Sequence, residues 1–153
     1  MAYRIEGLAS EAFEGLFAMM DGELAGHKAL RVTADGPGYP CRVSLADAEP
    51  GDELILVNHV SNEVGGPYRT SHAIYVRKGV ATAAFADEAP LVLDQRTISL
   101  RGFDAEGTLR GGLLALPGEA DAKIRTLFED PEIATIHAHT ATYGCFLARI
   151  ERN

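Results

Sequence analysis

His137 and His139 stand two residues apart in a stretch, residues 133–140, that alternates β-branched, small and polar side chains. Successive side chains of a strand point to opposite faces. The two imidazoles therefore share one face with Thr135, and Ala134, Ile136 and Ala138 take the other. Rings placed this way are spaced to supply two ligands to one metal. After a short turn around Tyr143-Gly144, Cys145 returns to the same face if the parity fits, and a His, His, Cys set suits Zn²⁺ or another borderline metal. The same pattern also serves as a plain polar strand face whose rings are satisfied by water or carboxylates. The cupin arrangement needs a Glu at fixed spacing, and Thr140-Ala141-Thr142-Tyr143 stands there instead. The expectation is a pocket in which His137 and His139 point the same way, in a metal-free protein.

Other residues carry weaker chemistry. His59 and His72 bracket the polar segment 61–71, where Gly65-Gly66 lets backbone approach a ligand and Tyr68, Arg69 and Ser71 offer donors to an anion. The plain alternative is a solvated surface loop. Cys41, beside Arg42, has the parts for a thiol–imidazole dyad with one of the histidines, as has Cys145. Adjacent side chains of an extended segment point apart, however, so Arg42 is poorly placed to act on the Cys41 thiol. Gly36-Pro37-Gly38 lacks the order of a phosphate loop, and Gly-x-Ser-x-Gly and His-Glu-x-x-His are both missing from the sequence. No motif names a cofactor.

These residues need elements to hold them. A helical stripe of Phe13, Leu16, Phe17 and Met20 predicts a helix over residues 9–21, with Ser10 as its N-cap. A second runs over 118–129, with Ala120, Ile124, Leu127 and Phe128 inward and Pro131 stopping it. Strands are expected over 3–8, 29–33, 41–45, 53–60, 72–77, 97–103, 109–116, 133–140 and 145–150. Pro50-Gly51 and Asp104-Ala105-Glu106-Gly107 supply turns. Two helices against about eight or nine strands, without regular βαβ alternation, give an α+β class: a mostly antiparallel sheet able to curl into a partial barrel.

The chain has 153 residues, the size of one domain, 46% of them hydrophobic and 24% charged. A net charge of −8 with no basic run argues against nucleic acid and anionic lipid as partners. No apolar run approaches the ~20 residues of a membrane span, and the N-terminus has no export signal. The expected compartment is the cytoplasm, where Cys41 and Cys145 are reduced thiols, at least one of them buried and chemically quiet.

Several short pieces recur in one order: Pro40-Cys41-Arg42, Pro50-Gly51-Asp52-Glu53, Pro67-Tyr68, Ile74-Tyr75-Val76-Arg77, Leu100-Arg101-Gly102-Phe103-Asp104, Leu127-Phe128-Glu129-Asp130-Pro131 and Gly144-Cys145-Phe146. Together they resemble the bacterial family catalogued as domain of unknown function 1203, along nearly the whole chain. The resemblance implies a cytosolic bacterial protein and brings no activity, cofactor or catalytic residue.

Three readings follow. The first is a small-molecule-binding domain whose pocket draws on Arg42, Tyr68, Arg101, His137, His139 and Cys145. The second is a metal- or thiol-dependent enzyme using His137, His139 and Cys145, with His59 or Cys41 assisting. The third is an interaction module whose exposed sheet edge pairs into a homodimer.

Overall fold

A computed structural model of the chain describes residues 2–153. Among the described residues nine strands, β1 (Tyr3–Glu6), β2 (Ala29–Thr33), β3 (Glu53–Asn62), β4 (Thr70–Arg77), β5 (Ala84–Ala86), β6 (Ile98–Phe103), β7 (Leu109–Ala115), β8 (Thr135–Thr140) and β9 (Phe146–Arg152), accompany four helices, α1 (Glu11–Phe17), α2 (Asp21–Gly26), α3 (Leu91–Asp94) and α4 (Ala120–Leu127). The strands form a six-stranded sheet, ordered β5-β1-β9-β8-β6-β7, and a three-stranded sheet, ordered β2-β3-β4. Every pairing between these strands is antiparallel. The class is α+β, and the sheets do not close into a barrel.

One face of the large sheet carries Tyr3, Ile5, Ile98, Leu100, Ile136, Ala138 and Ile150 into a core capped by Ile124, Leu127 and Phe128 around α4. Burying each such aliphatic side chain stabilises the fold by roughly 1.5–3 kcal/mol. Tyr3 holds α4 in place: its hydroxyl donates to Asp121 at 2.7 Å, and the Arg125 guanidinium lies 5.0 Å from its ring centre. The small sheet buries Ile55, Val57, Ile74 and Val76 against Phe13 and Leu24 of α1 and α2.

The first expected helix is two helices. Met20 is extended (φ −75°, ψ 156°) and starts α2, its amide donating to the Glu23 carboxylate at 2.8 Å. Ser10 precedes α1 but makes no side-chain cap; its amide donates to the Thr82 hydroxyl instead. The expected strand over 41–45 is not one either, because Leu45 turns to positive φ (52°). Cys41–Val43 forms a crossbar between the sheets. The Arg42 amide donates to the Tyr75 carbonyl of β4, the Arg42 carbonyl accepts from the Leu8 amide just after β1, and the Val43 carbonyl accepts from Ala83. Gly7 is required at this crossing, since a Cβ there would stand 1.9 Å from the Val43 carbonyl oxygen.

Candidate functional site

His137 and His139 share a face, as their spacing requires, and the face is the one turned towards the small sheet. Opposite His137 lie Arg101 on β6 and Arg149 on β9; opposite His139 lie Ser99 and Phe146. A bulge between Ala138 and His139 puts both Leu147 and Ala148 of β9 into the main core and brings Phe146 back beneath the imidazoles. The small sheet adds His59 and His72, directly paired across β3 and β4. His72 stacks edge-on against His139 at 4.9 Å, and Phe103 packs against His137 at 4.9 Å. Phe146 touches His59, His137 and His139 at 5.8, 5.6 and 5.9 Å.

The pocket expected at the two rings is not there: each is only 1% exposed. Aromatic rings from both sheets cover them, a long-range arrangement that no local spacing reveals. Burial is the main force on their protonation. His137 is pushed down to about 4, with Arg149, Arg101 and His72 adding repulsion. His139 is pushed down to about 3 by burial, against the bond it makes to the Gly144 carbonyl and with repulsion from Arg101, His72 and His137. Burial also lowers His59 and His72. All four rings are thus neutral near pH 7. His139 Nδ1–H donates to the Gly144 carbonyl at 2.9 Å, which leaves Nε2 without the proton. His137 Nδ1 is buried with no hydrogen-bond partner among the described residues. Among the described residues no group of three His, Cys, Asp or Glu is arranged to hold a metal ion.

Arg42 is the contrasting case. It is 3% exposed, and its guanidinium reaches Phe146 of β9, whereas the Cys41 sulfur accepts from the Arg77 amide of β4. Nε donates to the Phe146 carbonyl at 2.7 Å and Nη1 to the Pro40 carbonyl at 2.6 Å. Among the described residues no carboxylate lies within ion-pair distance, and Nη2 has no hydrogen-bond partner. Burial lowers the guanidinium to about 10, opposed chiefly by the negative charge that Cys145 carries as a thiolate, so it stays charged at neutral pH. It lines a cleft of about 530 Å³ together with Cys145, with an apolar wall that includes Leu56 and Tyr75 and a rim that includes Thr142 and Tyr143. Arg96, also in the lining, is committed to Asp47 at 2.8 Å.

The structure therefore divides the expected site. Arg42 and Cys145 meet at the cleft. His137, His139 and Arg101 meet between the sheets, and the two groups join through Gly144. Arg101 has only the Ser99 hydroxyl, at 3.4 Å, as a side-chain partner among the described residues. Tyr68 lies at the other end, edge-on to Phe103 at 6.4 Å. Arg69 pairs with Glu63, and β3 and β4 extend into the expected loop, leaving 63–69 between them. Tyr75, Arg96 and Thr142 were not anticipated. Only the Thr140-Ala141-Thr142-Tyr143 turn carried a signal, a run of hydroxyls just before the cysteine.

The cleft and crossbar fall inside a recognisable unit. A family model described as Protein of unknown function (DUF1203) matches residues 38–152. The chain belongs to the DUF1203 family. The DUF1203 match opens at Gly38, in the cleft wall, and closes at Arg152 of β9. It takes in both cysteines and His59, His72, His137 and His139, while β1, α1, α2 and β2 precede it. No curated protein and no solved structure matches the chain. No helix among the described residues is long and apolar enough to cross a membrane.

Proposed function

We propose that this DUF1203 protein binds a small organic anion, a carboxylate or phosphate ester on an apolar body, in the cleft beneath residues 140–145, with Arg42 as anchor. One observation carries the reading: a nearly sealed guanidinium, in a chain of net charge −8, with no carboxylate beside it among the described residues. A buried charge without a counter-ion is costly, and the two carbonyl acceptors engage Nε and Nη1 of a residue that lines the cleft. Guanidinium is suited to planar oxyanions, and Leu56 and Tyr75 offer a surface for the apolar body. The two free thiols, Cys41 and Cys145, accord with a reducing cytosol.

Calorimetric titration with benzoate, phenyl phosphate and neutral benzamide tests this. The anions should bind and benzamide should not, and Arg42→Gln should weaken the anions about 10- to 100-fold, the worth of a charge-assisted bond. Equal affinity for benzoate and benzamide would overturn the reading.

Self-association is a second reading, supported by β7. It is an edge of the large sheet, and Leu109 and Leu114 on it, with Leu116 just beyond, are 40%, 57% and 52% exposed. Edge pairing of β7 between two copies would cover them. Sedimentation of the native chain against Leu114→Lys checks it: a dimer lost in the variant supports the reading, and a wild-type monomer at high concentration excludes it.

A further inference from the structure

The two cysteines have opposite surroundings. Cys41 is fully buried in the core under α1 and α2, and its sulfur accepts hydrogen bonds from the amides of Ser44 at 3.5 Å and Arg77 at 3.3 Å. Cys145 is half-buried and lines the same cleft as Arg42. Its backbone is clamped at both ends of the turn. The Cys145 amide donates to the Thr140 hydroxyl at 3.1 Å, the Thr140 amide donates to the Cys145 carbonyl at 2.9 Å, and Gly144 takes the positive φ (73°) that closes the turn. The turn therefore fixes the Cys145 backbone, and its side chain lines the same cleft as the Arg42 guanidinium.

We propose that Cys145 is a covalent acceptor site: a small disulfide bearing a carboxylate docks that group on Arg42 and transfers half of itself to the thiol as a mixed disulfide. The inference rests on the anion reading of the cleft and adds a reaction to it. The Cys145 thiol gives up its proton to solvent, and the thiolate attacks one sulfur of the docked disulfide. A Cys145–sulfur bond forms as the disulfide's own bond breaks, and the departing thiolate takes a proton from water. One disulfide is consumed and one mixed disulfide is made, so no outside oxidant is needed. Arg42 acts by placement, which turns an encounter in solution into a reaction within the cleft. The cleft, about 530 Å³, has the size of a small-molecule site. Cys41, sealed and hydrogen-bonded, takes no part.

The test compares two disulfide reagents on the native full chain, read by mass at each cysteine: 5,5′-dithiobis(2-nitrobenzoate), an aromatic dicarboxylate, and neutral 4,4′-dithiodipyridine. The ratio of their rates at Cys145 should exceed the ratio for a free thiol in solution by about tenfold, as expected when a cationic site concentrates the anionic reagent. Cys41 should label only after denaturation. Saturating benzoate should slow the dicarboxylate reagent, and Arg42→Gln should return the ratio to that of a free thiol. If Arg42→Gln does not unfold cooperatively, Arg42→Lys and benzoate protection of the wild type decide the matter. A Cys145 ratio no higher than that of a free thiol overturns the inference. If the wild-type chain still binds benzoate, the covalent step alone is wrong; if it does not, the anion reading falls with it.

Discussion

The cleft and the histidine face are neighbours joined through one turn, and burial has opposite consequences in them. At the histidine face, desolvation is met by staying neutral: the rings of His137 and His139 are pushed to about 4 and about 3, and aromatic side chains close over them. At the cleft the same force acts on a group with no such escape. The Arg42 guanidinium falls only to about 10 and remains a cation. A buried imidazole can shed its charge, whereas a buried guanidinium keeps it, which is the ground for the anion proposed at Arg42. The more conspicuous sequence pattern, His-x-His, thus belongs to the sealed region, and the open cleft is lined by an arginine from an irregular segment.

The largest effect should come from the crossing that holds both regions. Gly7→Ala drives a Cβ into the Val43 carbonyl, against backbone that cannot turn aside. The expected cost is on the order of 4 kcal/mol or more, read by urea unfolding, with loss of anion binding as the crossbar carrying Arg42 shifts. A variant of wild-type stability would show that the sheets are not locked there.

Acid should separate the two regions next. Both histidine values lie below the ordinary 6.5, so as the pH falls from 6.5 the unfolded chain takes up protons that the folded chain refuses. Stability should be greatest above pH 6.5 and decline steadily towards pH 4, by on the order of 3 kcal/mol for each ring. Arg42 stays protonated throughout and contributes nothing to that slope. Unfolding by urea between pH 7 and 5 reads this window before the ion-paired carboxylates of Glu53, Asp121 and Glu151, held below their ordinary range, begin to matter. A flat profile would mean the rings are solvated.

The smallest effect distinguishes the two rings. His139→Leu leaves the Gly144 carbonyl without its donor and should cost about 1–2 kcal/mol. His137→Leu removes a buried nitrogen that has no partner, and should be neutral or slightly stabilising on the same scale. The reverse order in thermal unfolding would place a hidden hydrogen bond at His137.

What local pattern determines was legible. β2 coincides with the expected 29–33, the alternation in β8 puts His137 and His139 on one face, and the side chains of Cys41 and Arg42 bond to different sheets. What long-range contacts determine was not. The partner of Arg42 Nε lies 104 residues away, and the crossbar is held by main-chain bonds to β4 and to Leu8, which any residue types can make. The 9–21 stripe predicted one helix because Met20 fits its periodicity, yet Met20 is extended and opens a second helix instead. β5 is a three-residue strand, Ala-Phe-Ala, with no alternation to detect.

The most direct measurement follows both regions in one sample: side-chain NMR of the arginine Nε–H and histidine ring signals while benzoate is added. The account predicts that the Arg42 signal moves and saturates with benzoate while His137 and His139 stay where they are. Shifts at the two histidines with Arg42 unmoved would contradict it.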